Sequence, residues 1–213
     1  SLFSHENISG TIPSFYTHGQ MYPKIGRRTE LLSQILQKEP VDLMMVIRNY
    51  PAYIVSSYSE FIRSRGYMKF EEFYDRVYGQ IAPNWLTISD QIKQAYPAAN
   101  LMIFKHSDLV KRPKDVLSKM TGLDIPELVI PKQLYARPSM SGVGLDVLKL
   151  MDEYGIDQSD GNFVNALAKL LPKSKSFGPL EVLSEDQLEQ LKSKYHHDLK
   201  DLNDKGYLIE LSS

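Results

Sequence analysis

An arginine and a serine eight residues apart, Arg48 and Ser56, have the types and spacing to bind an anion. Arg48 directly follows a short apolar run, and Ser56 lies in a segment of helical periodicity that begins near Pro51. A guanidinium, a hydroxyl and the free N–H groups of a helix start all donate hydrogen bonds to phosphate or sulfate. The alternative is that Arg48 pairs with a structural carboxylate and Ser56 is an ordinary surface residue. The pattern therefore indicates an oxyanion site in competition with a purely structural ion pair.

The segments that would position these residues alternate between strand and helix patterns. Residues 41–47 and residues 100–105 are short apolar runs, typical of strands buried in a parallel sheet. Helical patterns occupy much of the remaining chain, at residues 54–65, 70–81, 85–96, 112–122, 141–154, 163–171 and 185–203. This alternation predicts a three-layer α/β domain with residues 41–47 as a central strand and a helical C-terminal cover. In such sheets ligands bind beyond the carboxyl ends of the strands, which is where Arg48 lies.

Composition limits the classes of function. The chain has 213 residues, which suits a single domain over residues 1–213, and its net charge is −1, so no overall field attracts nucleic acid or acidic membranes. It has no cysteine, which excludes disulfides, thiolate catalysis and cysteine-based zinc sites and fits a reducing, cytoplasmic location. No apolar run is long enough for a membrane span.

The pattern R-x7-S-x-Y after a buried strand resembles the 3′-phosphate-binding motif of sulfotransferases that use 3′-phosphoadenosine 5′-phosphosulfate (PAPS). In that family the arginine and serine hold the 3′-phosphate of the donor, and here they match Arg48 and Ser56, with Tyr58 at a frequent aromatic position. The proline comes one position later than in the common R-D-P form, and His106 and Ser107 replace a Tyr-Glu pair. Other segments resemble family elements in the same order, at residues 2–10, 70–78, 100–124, 136–154 and 184–202.

This resemblance implies a P-loop NTPase-like fold and an enzyme that moves a sulfuryl group from PAPS to a hydroxyl, that of a carbohydrate as in bacterial members, without a metal. It places His5 and Glu6 at a strand end as candidate catalytic bases, and Arg137 as a further donor contact beside Arg48 and Ser56. Two alternatives stay open: a nucleotide kinase-like phosphotransferase, and a non-catalytic binding protein that retains the fold. His5 could equally be an exposed loop residue.

The family's glycine-rich P-K-x-G-T-T loop, which holds the 5′-phosphosulfate, has one imperfect counterpart at residues 22–29. Two arginines, Arg27 and Arg28, stand where the threonines belong, and the segment lies too close to Arg48 in sequence. We predict that it is a surface turn leading into an amphipathic helix. We expect the true loop to lie upstream of Ser1, which would make these 213 residues the larger C-terminal portion of an enzyme.

Overall fold

A computed structural model describes residues 15, 17–18, 21–79, 84–127 and 139–211. Their elements are, in chain order, α1 (Ile25–Ile35), β1 (Asp42–Ile47), α2 (Tyr50–Arg65), α3 (Phe70–Tyr74) with a π-helical turn (Asp75–Gly79), α4 (Trp85–Ala95), β2 (Asn100–Lys105), α5 (His106–Lys111), α6 (Pro113–Thr121), α7 (Gly142–Glu153), α8 (Gly161–Leu170) and α9 (Glu185–Asp204). The mixed helix and strand content predicted from the sequence is confirmed. Among these helices none has the length and apolar character needed to cross a bilayer.

The sheet consists of β1 and β2, which run parallel in a register that starts at Asp42↔Asn100 and ends at Ile47↔Lys105. The predicted parallel pairing is therefore confirmed. On the other side of β2, Ile103 forms a parallel bridge with Leu208. Within the described residues it is thus β2, and not β1 as expected, that has neighbours on both sides. The C-terminal segment supplies this second neighbour of β2 through two backbone hydrogen bonds of 2.8 Å with Ile103.

Helix α2 starts immediately beyond β1 because its first turn is well capped. The Asn49 side chain accepts a hydrogen bond from the Ala52 N–H at 2.9 Å, and Pro51 occupies the first turn, where its missing N–H costs nothing. The inward face of α2 buries apolar side chains, including Ile54, Tyr58, Phe61 and Ile62. The outward face consequently carries Ser56 at its surface, two turns beyond Arg48.

Helix α9 begins with a capping box: Ser184 accepts from the Gln187 N–H at 3.2 Å, and the Gln187 side chain accepts from the Ser184 N–H at 3.0 Å. Its apolar stripe packs inward, with Leu191, Tyr195 and Leu202 buried and Leu188 and Leu199 partly buried. The same face also buries a carboxylate, Asp198, which is 1% exposed. This buried acid was not foreseen from the sequence.

Asp198 joins α9 to the starts of two other helices. Its carboxylate accepts hydrogen bonds from the hydroxyl of Tyr50, from the N–H of Trp85 at 2.9 Å and from the ammonium of Lys194 at 2.9 Å. Burial and then the hydrogen bond to Asp198 raise the pKa of Tyr50, so this phenol stays a donor at any physiological pH. The Trp85 N–H is one of the orphan donors of the first turn of α4, and it donates to both the Tyr50 oxygen, at 2.8 Å, and Asp198.

Gly66 ends α2 in a conformation that only glycine adopts readily, with φ +93°. A Cβ added there would lie 2.6 Å from the carbonyl oxygens of Gln158 and Ser159, in the segment that leads into α8. We expect Gly66→Ala to lower the free energy of unfolding by about 2–4 kcal/mol, the sum of left-handed strain and overpacking. Urea unfolding measures this loss.

Gly122 provides the matched control, because it also has a positive φ (+69°) but a Cβ there would meet open space. Gly122→Ala should cost only the backbone strain, about 1–2 kcal/mol. Equal losses in both variants would show that the close approach of residues 158–159 does not constrain position 66.

Candidate anion-binding site

Arg48 is the first residue after β1 and is held by its backbone. Its carbonyl oxygen accepts a hydrogen bond from the indole N–H of Trp85 at 3.0 Å. The side chain is half-buried, and this burial lowers the pKa of the guanidinium below its usual value. Among the described residues no carboxylate forms an ion pair with Arg48. The structural ion pair that was the alternative reading of Arg48 is therefore not found in this part of the chain.

The Arg48 side chain lines a cavity of about 550 Å³, which we call the anion cavity. Its polar end combines Arg48 with Ser56, Ser59, Ser139 and Lys173. Ser56 and Ser59 are three residues apart on α2, a spacing that places both hydroxyls on one helix face. One guanidinium, one ammonium and three hydroxyls are donors that match the oxygens of a phosphate or sulfate group.

The rest of the anion cavity is mainly apolar. Its wall consists of Pro51, Ala52, Val55, Met140, Pro179, Leu180, Val182, Leu183 and Leu188, with one carboxylate, Glu181. The volume lies within the range of small-molecule sites, about 300–1,000 Å³. The cavity is therefore suited to a ligand that joins an anionic group to a flat or apolar body.

Lys173 and Ser139 reach the cavity through pairing between two distant segments. The Lys173 N–H donates to the Ser139 carbonyl at 3.0 Å. Next to this bond, the Ser141 hydroxyl donates to the Leu171 carbonyl at 2.7 Å and accepts from the Gly144 N–H at 3.0 Å, which caps α7. The same short bridge thus brings together a hydroxyl and an ammonium 34 positions apart in sequence.

A second, smaller cavity of about 370 Å³ lies against Arg48 and shares Ser56, Ser59 and Ser139 with the first. Its other lining residues are Tyr53, Ser57, Glu60 and Arg63. Arg63 is 8% exposed and its Nε donates to the Asn165 amide oxygen at 2.9 Å, so it is fixed by α8. The Arg48 guanidinium can therefore be approached from two sides, each lined with hydroxyl groups.

Comparisons with protein-family models, curated proteins and solved structures found no match. The function must be argued from the site. In the stretches that the structure describes, no three His, Asp or Glu residues are grouped closely enough to hold a metal ion.

The strand register places His106 beside Arg48. Because Ile47 pairs with Lys105, the next two residues, Arg48 and His106, stand side by side at the carboxyl edge of the sheet. The pKa of His106 lies below its ordinary value, first because of burial and second because of the Arg48 charge. Asp108, in the first turn of α5, forms an ion pair with Lys105 at 3.6 Å.

The structure brings the two central site residues of the sequence analysis, Arg48 and Ser56, into one cavity. The other three, His5, Glu6 and Arg137, lie outside the described residues. Tyr58, at the frequent aromatic position of the motif, is buried in the core. Three further residues that line the anion cavity, Ser59, Ser139 and Lys173, were not predicted from the sequence. Only Ser59 had a sequence signal, its helical spacing from Ser56.

The segment at residues 22–29 forms a turn followed by the first residues of α1, as predicted. Lys24 precedes the helix, is exposed and makes no side-chain capping bond. Tyr22, Ile25 and Arg28 line a different cavity, mainly apolar, between α1, β1 and α4; neither Arg48 nor Ser56 is among its lining residues. This arrangement agrees with the prediction that the segment is not the donor's phosphate loop.

Proposed function

We propose that the anion cavity binds the 3′-phosphate of PAPS and that the protein transfers the sulfuryl group of this donor to a hydroxyl group of a carbohydrate. In this proposal the described elements belong to a three-layer, P-loop NTPase-like fold. The observation that carries it is the half-buried Arg48, which has no carboxylate partner among the described residues and lies at the end of a parallel strand beside Ser56. This arrangement combines the R-x7-S spacing with a cavity of suitable size.

A half-buried guanidinium that has no carboxylate partner in the described part of the chain carries a desolvation cost. Removing a charge from water costs several kcal/mol unless an opposite charge or hydrogen-bond acceptors compensate for it. An oxyanion in the cavity would accept from Arg48 and from the hydroxyls of Ser56 and Ser59, which relieves this cost. Lys173 would add a second positive charge, so a dianion such as a phosphate monoester suits the site better than a monoanion.

The apolar wall supports a nucleotide more than a free inorganic anion. A purine and its ribose need apolar contact area beside the phosphate site, and Val55, Pro179 and Leu180 provide such area next to Arg48. Glu181 in the same wall is a hydrogen-bond acceptor for a ribose hydroxyl or an exocyclic amine.

In the proposed reaction the acceptor hydroxyl attacks the sulfur of PAPS, and the bond between sulfur and the bridging phosphate oxygen breaks. The products are the sulfate ester and 3′-phosphoadenosine 5′-phosphate. The step needs a base for the hydroxyl proton and cations for the charge that develops on the leaving oxygen. By the resemblance, His5 or Glu6 is the base and Arg137 a further cation at the 3′-phosphate.

Titration calorimetry of the wild-type chain tests the donor assignment. 3′-Phosphoadenosine 5′-phosphate should bind about ten- to a hundredfold more tightly than adenosine 5′-phosphate, because the 3′-phosphate adds charge-assisted hydrogen bonds worth about 1.5–3 kcal/mol. Equal affinities would mean that the cavity does not recognise a 3′-phosphate.

We expect Ser56→Ala to weaken the binding of 3′-phosphoadenosine 5′-phosphate about two- to tenfold, since one hydrogen bond of about 0.5–1.5 kcal/mol is lost. Ser64→Ala is the matched control, because Ser64 is exposed on the same helix and is absent from both cavities. Calorimetry measures both affinities. A loss as large for Ser64→Ala as for Ser56→Ala would contradict a direct role of the Ser56 hydroxyl.

A further inference from the structure

His106 and Arg48 are neighbours across the sheet edge. They directly follow Lys105 and Ile47, the last pair of the parallel register, so both residues leave the sheet at the same carboxyl edge. His106 is half-buried, so its imidazole is partly shielded from water and from mobile ions. A charge on this imidazole would act on any ligand bound at Arg48.

The other charged groups around His106 have partners of their own. Lys105 pairs with Asp108, and on α6 Arg112 pairs with Asp115 at 2.6 Å. From α9, Tyr195 faces Asp108; burial and then the Asp108 charge raise the pKa of this phenol to about 12, so it stays neutral. On the same helix Lys194 pairs with Asp198. Burial and then the Arg48 charge lower the pKa of His106, and both favour the neutral imidazole.

We propose that His106 shares a bound oxyanion with Arg48, so that the anion is bound together with a proton on the His106 imidazole. This inference rests on the anion site of the proposed function. A bound anion cancels the repulsion between the guanidinium and the imidazolium and attracts both. By linkage, protonation of His106 must strengthen anion binding by the same factor by which the anion favours protonation.

Inorganic sulfate is the probe, because its charge does not change between about pH 5.5 and pH 8, the range in which histidine titrates. The fluorescence of Trp85, the chain's single tryptophan, reports binding, since its indole N–H donates to the Arg48 carbonyl. Wild type should bind sulfate about five- to tenfold more tightly at the lower pH, as expected for one added charge a few ångströms from the anion. His106→Gln should bind with the weaker affinity at both pH values.

His196→Gln is the control, because His196 is exposed on α9. It should keep the wild-type pH dependence. A second measurement needs no substitution: in NMR titrations of the wild-type imidazoles, saturating sulfate should raise the pKa of His106 by about 0.7–1 unit, the same five- to tenfold factor.

The outcomes separate this inference from the proposed function. Sulfate binding that Arg48→Ala weakens, with an equal pH dependence in wild type and His106→Gln, would overturn the role of His106 and leave the anion site intact. Sulfate binding that does not require Arg48 would overturn both. Loss of the pH dependence in His106→Gln alone, together with the sulfate-induced rise of the His106 pKa, would establish the inference.

Discussion

Arg48→Ala is expected to weaken the binding of 3′-phosphoadenosine 5′-phosphate about ten- to a hundredfold, because a charge-assisted hydrogen bond worth about 1.5–3 kcal/mol is lost. The free energy of unfolding should stay unchanged or rise slightly. Arg48 is half-buried without a carboxylate partner among the described residues, so its removal relieves a desolvation cost in the ligand-free protein. Calorimetry and urea unfolding measure the two quantities.

This pair of results separates a binding arginine from a structural one. An arginine held in a buried structural ion pair would, on removal, cost about 3–5 kcal/mol of stability. Arg48→Lys should restore binding only in part, since lysine supplies charge without the planar fork of donors. Arg65→Ala, at the exposed end of α2, is the control and should change neither quantity. If Arg48→Ala destabilises the fold and keeps its preference for the 3′-phosphorylated ligand, Arg48 is a structural residue.

Asp198→Ala is expected to lower the free energy of unfolding by about 2–5 kcal/mol. It leaves the Tyr50 hydroxyl buried without its acceptor, and it removes the carboxylate that also accepts from Lys194 and from the Trp85 N–H, although this N–H keeps the Tyr50 oxygen as an acceptor at 2.8 Å. The midpoint of urea unfolding, followed by Trp85 fluorescence, should fall accordingly.

Two further variants show which bonds matter. Asp198→Asn keeps the shape and one acceptor oxygen and should lose less than Asp198→Ala. Lys194→Ala keeps the Tyr50 and Trp85 hydrogen bonds but leaves the Asp198 carboxylate, which is 1% exposed, without its counter-ion, and it too should lower the midpoint. An unchanged unfolding midpoint in Asp198→Ala would contradict the view that this carboxylate holds α9 against α2 and α4.

Local signals in the sequence were sufficient for most elements. The capping box at Ser184 and Gln187, and the proline at the start of α6, act within one helical turn and can be read directly. The parallel pairing of β1 with β2 followed from two apolar runs separated by helices. The parallel pairing also predicted where Arg48 lies. The carboxyl ends of parallel strands meet at one edge of the sheet, which is the edge where ligands bind in such folds.

The features missed from the sequence depend on contacts between distant segments. Lys173 enters the anion cavity only because its backbone pairs with that of Ser139. Asp198 lies three residues after Tyr195, on the apolar face of α9, and a polar residue in that position is a signal of a buried partner. The partners themselves, Tyr50 and Trp85, are more than a hundred positions away, and no local pattern identifies them.

The buried carboxylate also has a consequence for synthesis on the ribosome. The last helix supplies Asp198, and the segment after it supplies Leu208, the second neighbour of β2. A nascent chain that has emerged only as far as α8 would hold β2 with one neighbour and would lack the acceptor of the Tyr50 hydroxyl at the start of α2. Because these closing contacts span long stretches of sequence, they form late. We therefore expect the nascent protein to resist proteolysis only after the end of α9 has left the ribosome.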